Sequence, residues 1–210
     1  MKVQFGLSNV HFFVLTETTD STTGEVSMSY GSAIACPGAV NLTLDVQDNE
    51  TEPFYADDGI YYMPAQRSGG YSGTLEVALI PDALKLALMN YREDADSAMI
   101  EVAESKTVYC GFTFEIDNDE KARRLVYYKA QLGTPSVNAA TTEGSKTPTT
   151  ETLPITVLPT NEKFTFGTGN DAEEISVVSG YSTPDTDATV YSTWHTTPHL
   201  PEAPTATPAG

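Results

Sequence analysis

Along much of the chain, apolar and polar residues alternate with a period of two. In residues 41–46, Leu42, Leu44 and Val46 alternate with Asn41, Thr43 and Asp45. In 74–80, Leu75, Val77 and Leu79 take one parity, with Thr74 and Glu76 on the other. Val108, Cys110, Phe112, Phe114 and Ile116 form a third apolar row, opposed by Tyr109, Thr113 and Glu115. Residues 125–132 and 153–157 continue the pattern. Successive side chains of a strand leave opposite faces, so this alternation predicts half-buried strands and a mainly β fold. Residues 10–15 are apolar at both parities, which predicts a strand covered on both faces or placed at a subunit contact.

One segment breaks the period. Residues 82–91 are rich in Ala, Leu, Lys and Met, open on Pro81 and Asp82, and set Leu84, Leu88 and Tyr91 on one helical face. Residues 95–104 are readable as helix or strand. Asp117-Asn118-Asp119-Glu120 lies between two strand patterns and predicts a hairpin turn. It lacks the glycine and downstream glutamate of a calcium loop. Residues 45–73 are too long for an ordinary connection and should carry structure or a task of their own. They hold six carboxylates, then Tyr61 and Tyr62, then a glycine-rich end. Residues 133–151 read as a polar loop. After Lys163 there is no Lys or Arg, and Thr, Ser, Pro and Ala dominate from Ser179 onward. The chain therefore divides into a β domain over 1–168 and a Thr/Ser/Pro-rich C-terminal extension over 169–210, an extended arm with Trp194 as its expected anchor.

Charge changes the picture more than composition does. The 210 residues are 40% apolar, with no apolar run near the roughly 18 residues of a membrane span. The opening residues lack the apolar stretch of a secretory signal. Eleven basic residues face 29 acidic ones, for a net charge of −18. Affinity for DNA phosphates comes from Lys and Arg displacing counterions, so a protein that wraps nucleic acid is excluded. Against this background Lys121, Arg123 and Arg124 are a local anomaly, expected to meet acidic groups of a neighbouring subunit. Cys36 and Cys110 are far apart and expected to be reduced thiols.

Candidate chemistry is sparse. His195 and His199 have a spacing of four, but Pro198 opposes a helix there and no third ligand follows. His11 lies in an apolar strand, where packing or hydrogen bonding is its ordinary role. The glycine-rich run 69–73 leads into a strand and not a helix, so it lacks the dipole a phosphate loop uses. The pairs Asp57-Asp58 and Asp94/Asp96 read as solvated loop carboxylates. No nucleophile elbow or two-cysteine metal motif is present. The expectation is a protein that is not an enzyme, with no catalytic residue, metal or cofactor.

Several segments carry a family resemblance. They are Pro37-Gly38-Ala39-Val40 running into Leu42-Thr43-Leu44, then Phe54-Tyr55-Ala56-Asp57-Asp58-Gly59, then Gly70-Tyr71-Ser72-Gly73-Thr74-Leu75-Glu76 followed by Ala78-Leu79-Ile80-Pro81-Asp82. Lys121-Ala122-Arg123-Arg124 and Glu151-Thr152-Leu153-Pro154-Ile155-Thr156 follow in the same order. Over about 5–157 the chain resembles the major tail (tail tube) proteins of long-tailed, non-contractile bacteriophages, mainly of Gram-positive hosts. The resemblance implies a two-sheet β-sandwich with one flanking α-helix. It also implies hexameric rings stacked into a hollow tube, the conduit for DNA ejection. Implied partners are further copies of the chain, the tape measure and tail-end proteins, and double-stranded DNA that passes without specific binding. The subunit itself would bind no membrane. The implied location is the virion tail, after synthesis and assembly in the host cytoplasm.

On that reading Tyr61 and Tyr62 are expected to anchor contacts with the adjacent ring. Lys121, Arg123 and Arg124 would sit at subunit contacts, and Asp45, Glu76 and Glu115 are candidate lumen-facing carboxylates. The extension beyond residue 170 does not match the family pattern and is expected outside the tube core. Competing readings are another virion component, such as a capsid decoration or head–tail joining protein, and an immunoglobulin-like adhesin module.

Overall fold

The computed structural model describes residues 6–48, 54–56, 59–62, 68–103, 106–117, 119–136, 149–167 and 172–202. Within them the chain is mainly β. In order it forms β1 (Leu7–Thr19), β2 (Val26–Ala35), β3 (Ala39–Asp48), β4 (Phe54–Ala56), β5 (Gly59–Tyr62), β6 (Ser68–Val77), α1 (Asp82–Leu88), β7 (Tyr91–Glu93) and β8 (Met99–Glu101). There follow β9 (Tyr109–Ile116), β10 (Arg124–Leu132), β11 (Glu151–Val157), β12 (Phe164–Phe166), β13 (Glu173–Ile175), β14 (Ser179–Ser182) and α2 (Ala188–Thr193). Eight strands make one antiparallel sheet in the order β2-β1-β9-β10-β11-β6-β3, with β14 added to β10.

β10 is where the sheet changes partners. Its residues 124–127 pair with β9 on one side and β14 on the other. Beyond an irregularity between Tyr127 and Ala130, residues 130–132 pair with β11 instead of β14. Apolar side chains from both stretches meet in one cluster: Phe12 of β1 and Phe112 of β9 join Leu75 of β6 and Leu153 and Ile155 of β11. Each such fully buried side chain contributes about 1.5–3 kcal/mol. The alternation read in the sequence is the inward parity of these strands for most of their length, but Val46 and Leu79, read on the same apolar rows, are exposed, and Leu79 lies beyond the end of β6.

Gly73 explains the glycine-rich entry to β6. A Cβ there would sit 1.8 Å from the carbonyl oxygen of Thr43 on β3, and one on Gly70 would sit 2.0 Å from that of Val157 on β11. The glycines let a central strand fit between two backbones; they do not bind phosphate.

α1 is shorter than the pattern suggests. Pro81 presets an extended entry, Leu84 and Leu88 are buried in the core, and the helix stops before Asn90, whose φ of 56° is left-handed. Asn tolerates that conformation better than most residues. Tyr91 therefore opens β7 instead of closing the helix, and the stretch after it holds no helix among residues 95–103 but a turn and the short strand β8, which pairs β7.

β1 is covered on both faces, as its double apolar parity indicates. Val10 and Phe12 enter the main core, while Leu15 enters a second cluster with Met28, Val126, Tyr128 and Trp194. That cluster exists because the extension lies against the sheet. β12 and β13 pair across the 168/169 division, Phe164 with Ile175, and β14 adds to β10 with Tyr127 opposite Ser179. Residues 172–202 thus carry two strands and a helix, in place of the uniformly extended arm. Their mean composition is polar, but Val177, Val190 and Leu200 are spaced to pack on the second cluster. The side chain of Asp187 caps α2, accepting from the N–H groups of Thr189 at 2.9 Å and Val190 at 3.2 Å.

Candidate functional site

The outward parity of β3, β6 and β11 forms one polar surface. The register sets Asn41 beside Glu76 and Thr152, Thr43 beside Thr74 and Pro154, and Asp45 beside Ser72 and Thr156. Thr156 in turn faces Gln131 of β10. The ionisable groups in this register are the carboxylates Asp45 and Glu76; no Lys or Arg occurs among these positions. Asp45 is exposed, and Glu76 is half-buried, accepting from the hydroxyl of Thr150. β3 ends the sheet order, so its outer edge has no strand partner among the described residues. A surface of hydroxyls, amides and carboxylates gives polyanions no counter-charge to condense on.

Glu115, the third candidate carboxylate, lies elsewhere. It sits on β9 beneath the extension, where Asn9 donates to it and Arg124 Nε lies 3.3 Å from Oε2. His195 Nε2 lies 3.5 Å from the same oxygen, while its Nδ1 is 2.9 Å from the Thr113 hydroxyl. The ring of His11 is 5.5 Å from that of His195. Burial pushes the His195 pKa below its usual 6.5; Glu115 opposes that shift, and Arg124 and His11 add to it. A hydroxyl, an imidazole and a carboxylate stand in a row, with the Thr113 hydroxyl wholly buried. The row fastens the extension to the sheet.

Arg123 and Arg124 of the β9–β10 turn find acids within their own chain. Arg123 Nε lies 2.7 Å from Asp119, whose carboxylate also accepts from the Arg123 backbone N–H. That pairing raises the Arg123 pKa. Arg124 binds Glu115, donates to the carbonyl of Tyr191 and stacks on the Tyr191 ring. The tight turn sets these partners side by side, and the folded-back α2 supplies the rest. Lys121 is exposed on the same turn.

Tyr61 and Tyr62 end β5, which pairs with β4 as a short hairpin inside the long acidic connection. Asp57, Asp58 and residues 49–53 and 63–67 of that connection lie outside the described residues. Trp194, at 3% exposure, joins the extension to β1, β2 and β10.

Two interactions went unmarked by sequence pattern. Lys129 is buried on β10, with Nζ 2.8 and 3.0 Å from the Glu17 carboxylate and 4.3 Å from the Tyr109 ring centroid. The Glu17 carboxylate accepts again from Asn161. Glu162, by accepting from the Met28 N–H at 2.6 Å, ties the β11–β12 connection to β2. An isolated Lys inside an alternating strand is the signal that could have exposed the first.

Cys36 and Cys110 are free, and burial raises both thiols, Cys36 to about 11, so they are protonated and unreactive at neutral pH. Among the described residues no three His, Cys, Asp or Glu side chains gather as a metal site, and no helix is long and apolar enough to cross a membrane. Comparison with family models, curated proteins and solved structures returned no match.

Proposed function

We propose that this chain is a tail tube subunit of a long-tailed bacteriophage, polymerising as stacked hexameric rings around a lumen that conducts DNA. The observation that carries this is the cation-free outward face of β3, β6 and β11, next to the edge of β3 that no strand pairs among the described residues. In this reading the strands form two facing layers that separate at β10, a sandwich flanked by α1. An open edge is a template for another chain, hazardous unless assembly uses it. Ring closure uses it, joining the layers of adjacent copies so that the polar face lines the inside. Asp45 and Glu76 then repel phosphate, and DNA slides. Glu115 serves the extension, and the lumen candidates reduce to Asp45 and Glu76. The role is structural and requires no catalytic group. Its partners are other copies, the tape measure and tail-end proteins, in the virion tail.

The test exchanges the lumen charge. Assembled wild-type protein should retain no DNA at physiological salt, and assembled Asp45→Lys/Glu76→Lys protein should retain it with a steep salt dependence. Equal retention by both would remove that face from the lumen.

A further inference from the structure

Lys129 of β10 is 3% exposed, and its ammonium meets both carboxylate oxygens of Glu17 on β1, at 2.8 and 3.0 Å. Glu17 Oε2, the oxygen at 3.0 Å, also accepts from Asn161 Nδ2 at 3.2 Å. One carboxylate oxygen thus stands between a buried primary amine and a side-chain amide. The Tyr109 ring covers another side of the amine, with its centroid 4.3 Å from Nζ.

The connection that carries Asn161 is pinned on both sides of it. Before it, the Leu158 N–H donates to the carbonyl of Lys129 itself at 2.8 Å. The buried Thr160 donates its hydroxyl to the Glu162 carbonyl at 2.8 Å, and the Glu162 carboxylate accepts from the Met28 N–H. The fold therefore holds amine, carboxylate and amide together, and held reactants escape the entropic cost of a bimolecular encounter.

For an amine to displace an amide nitrogen, a base must take its proton and an acid must protonate the departing nitrogen. Glu17 contacts both nitrogens and serves each role in turn. Burial favours the first transfer, because it replaces two buried charges with two neutral groups. Asn161 is exposed, so the departing group has a way out to solvent.

We propose that Lys129 and Asn161 of the same chain join autocatalytically in an isopeptide bond, with Glu17 as the catalytic residue. Nζ attacks Cγ of Asn161. The Nζ–Cγ bond forms, the Cγ–Nδ2 bond breaks, and Nδ2 leaves as ammonia. Of the three ammonium protons, one stays on the new amide, one leaves with the ammonia, and one passes through Glu17 to solvent. No oxidant is consumed. The product ties β10 covalently to the connection before β12, independently of redox state. This inference concerns the single chain and does not rest on the tail tube reading.

The test weighs the intact full-length protein, denatured, by mass spectrometry. Wild type should be lighter than its sequence by one ammonia, and peptide mapping should find a branched peptide joining Lys129 to Asn161. Asn161→Ala removes an exposed side chain and should weigh what its own sequence predicts, as should Lys129→Met and Glu17→Gln. A wild-type chain at its full sequence mass overturns the proposal. Loss of one water instead, or loss of ammonia that persists in Asn161→Ala, overturns it as well.

Discussion

The guanidinium carbon of Arg124 lies 4.1 Å from the ring centroid of Tyr191, binding β10 to α2. The same side chain donates to the Tyr191 carbonyl and pairs with Glu115, and the Tyr191 hydroxyl donates to the carbonyl of Ala122 at 2.9 Å. A cation over an aromatic face is worth about 0.5–2 kcal/mol, depending on desolvation. Arg124→Ala should therefore loosen the extension without unfolding the sheet. Limited proteolysis should cut the variant within 176–202 several times faster than wild type while leaving the rest intact. Equal rates would show that other contacts hold α2.

His195 makes the same attachment pH-dependent. Burial holds its pKa below 6.5 when the extension is docked, whereas a released extension regains the ordinary value. Docking is thus fully present above about pH 6.5 and weakens as pH falls below it, because the released form takes up the proton more readily. His11 and Arg124 add positive charge nearby, against the single carboxylate of Glu115. Trp194 is the chain's one tryptophan and is buried beside His195, so its emission reports the state directly. Emission should move to the red between pH 7 and pH 5 in wild type and not in His195→Gln. The same shift in both would assign the effect to other groups.

Lys129 and Glu17 form a pair that is costly to break from one side. Glu17→Gln leaves the Lys129 ammonium buried against Tyr109 without its counter-charge. Removing one partner of a buried pair costs about 3–5 kcal/mol. Denaturant unfolding should show a loss of that order for Glu17→Gln, and a smaller one for Glu17→Gln combined with Lys129→Met.

Gly73→Ala tests the close approach of β6 to its neighbour β3 in the sheet. The added methyl would overlap the Thr43 carbonyl, so a loss of about 3 kcal/mol or more is expected. Gly24, at φ 76° with nothing within 4 Å of an added Cβ, is the control: Gly24→Ala should cost only about 1–2 kcal/mol of backbone strain. Similar losses in thermal unfolding would refute the steric explanation.

Strands β3, β6, β9, β10 and β11 were legible because one of their faces is buried and the other wet, leaving a period of two. β2 was not legible: at the sheet margin it buries Met28 and leaves Ser27, Ser29 and Gly31 exposed, a pattern too weak to read. The polar parity of β9 misled in another way. Thr113 and Glu115 look outward in the sequence, but the extension covers them, and its Trp194 and His195 come from 80 or so residues away. Alternation reports which side chains share a face and says nothing of what later covers that face. α2 was hidden by its Thr and Val content, although Asp187 followed by Ala188 was a readable start. Asp45 and Glu76 share a face because β3 pairs with β6, a long-range register that no local pattern encodes.

Electron microscopy of the purified full-length protein addresses the proposed role. Hollow tubes built of stacked six-fold rings, with an open lumen wide enough for duplex DNA, are the expected image. Monomers that persist at high concentration, or closed particles without a lumen, would contradict it.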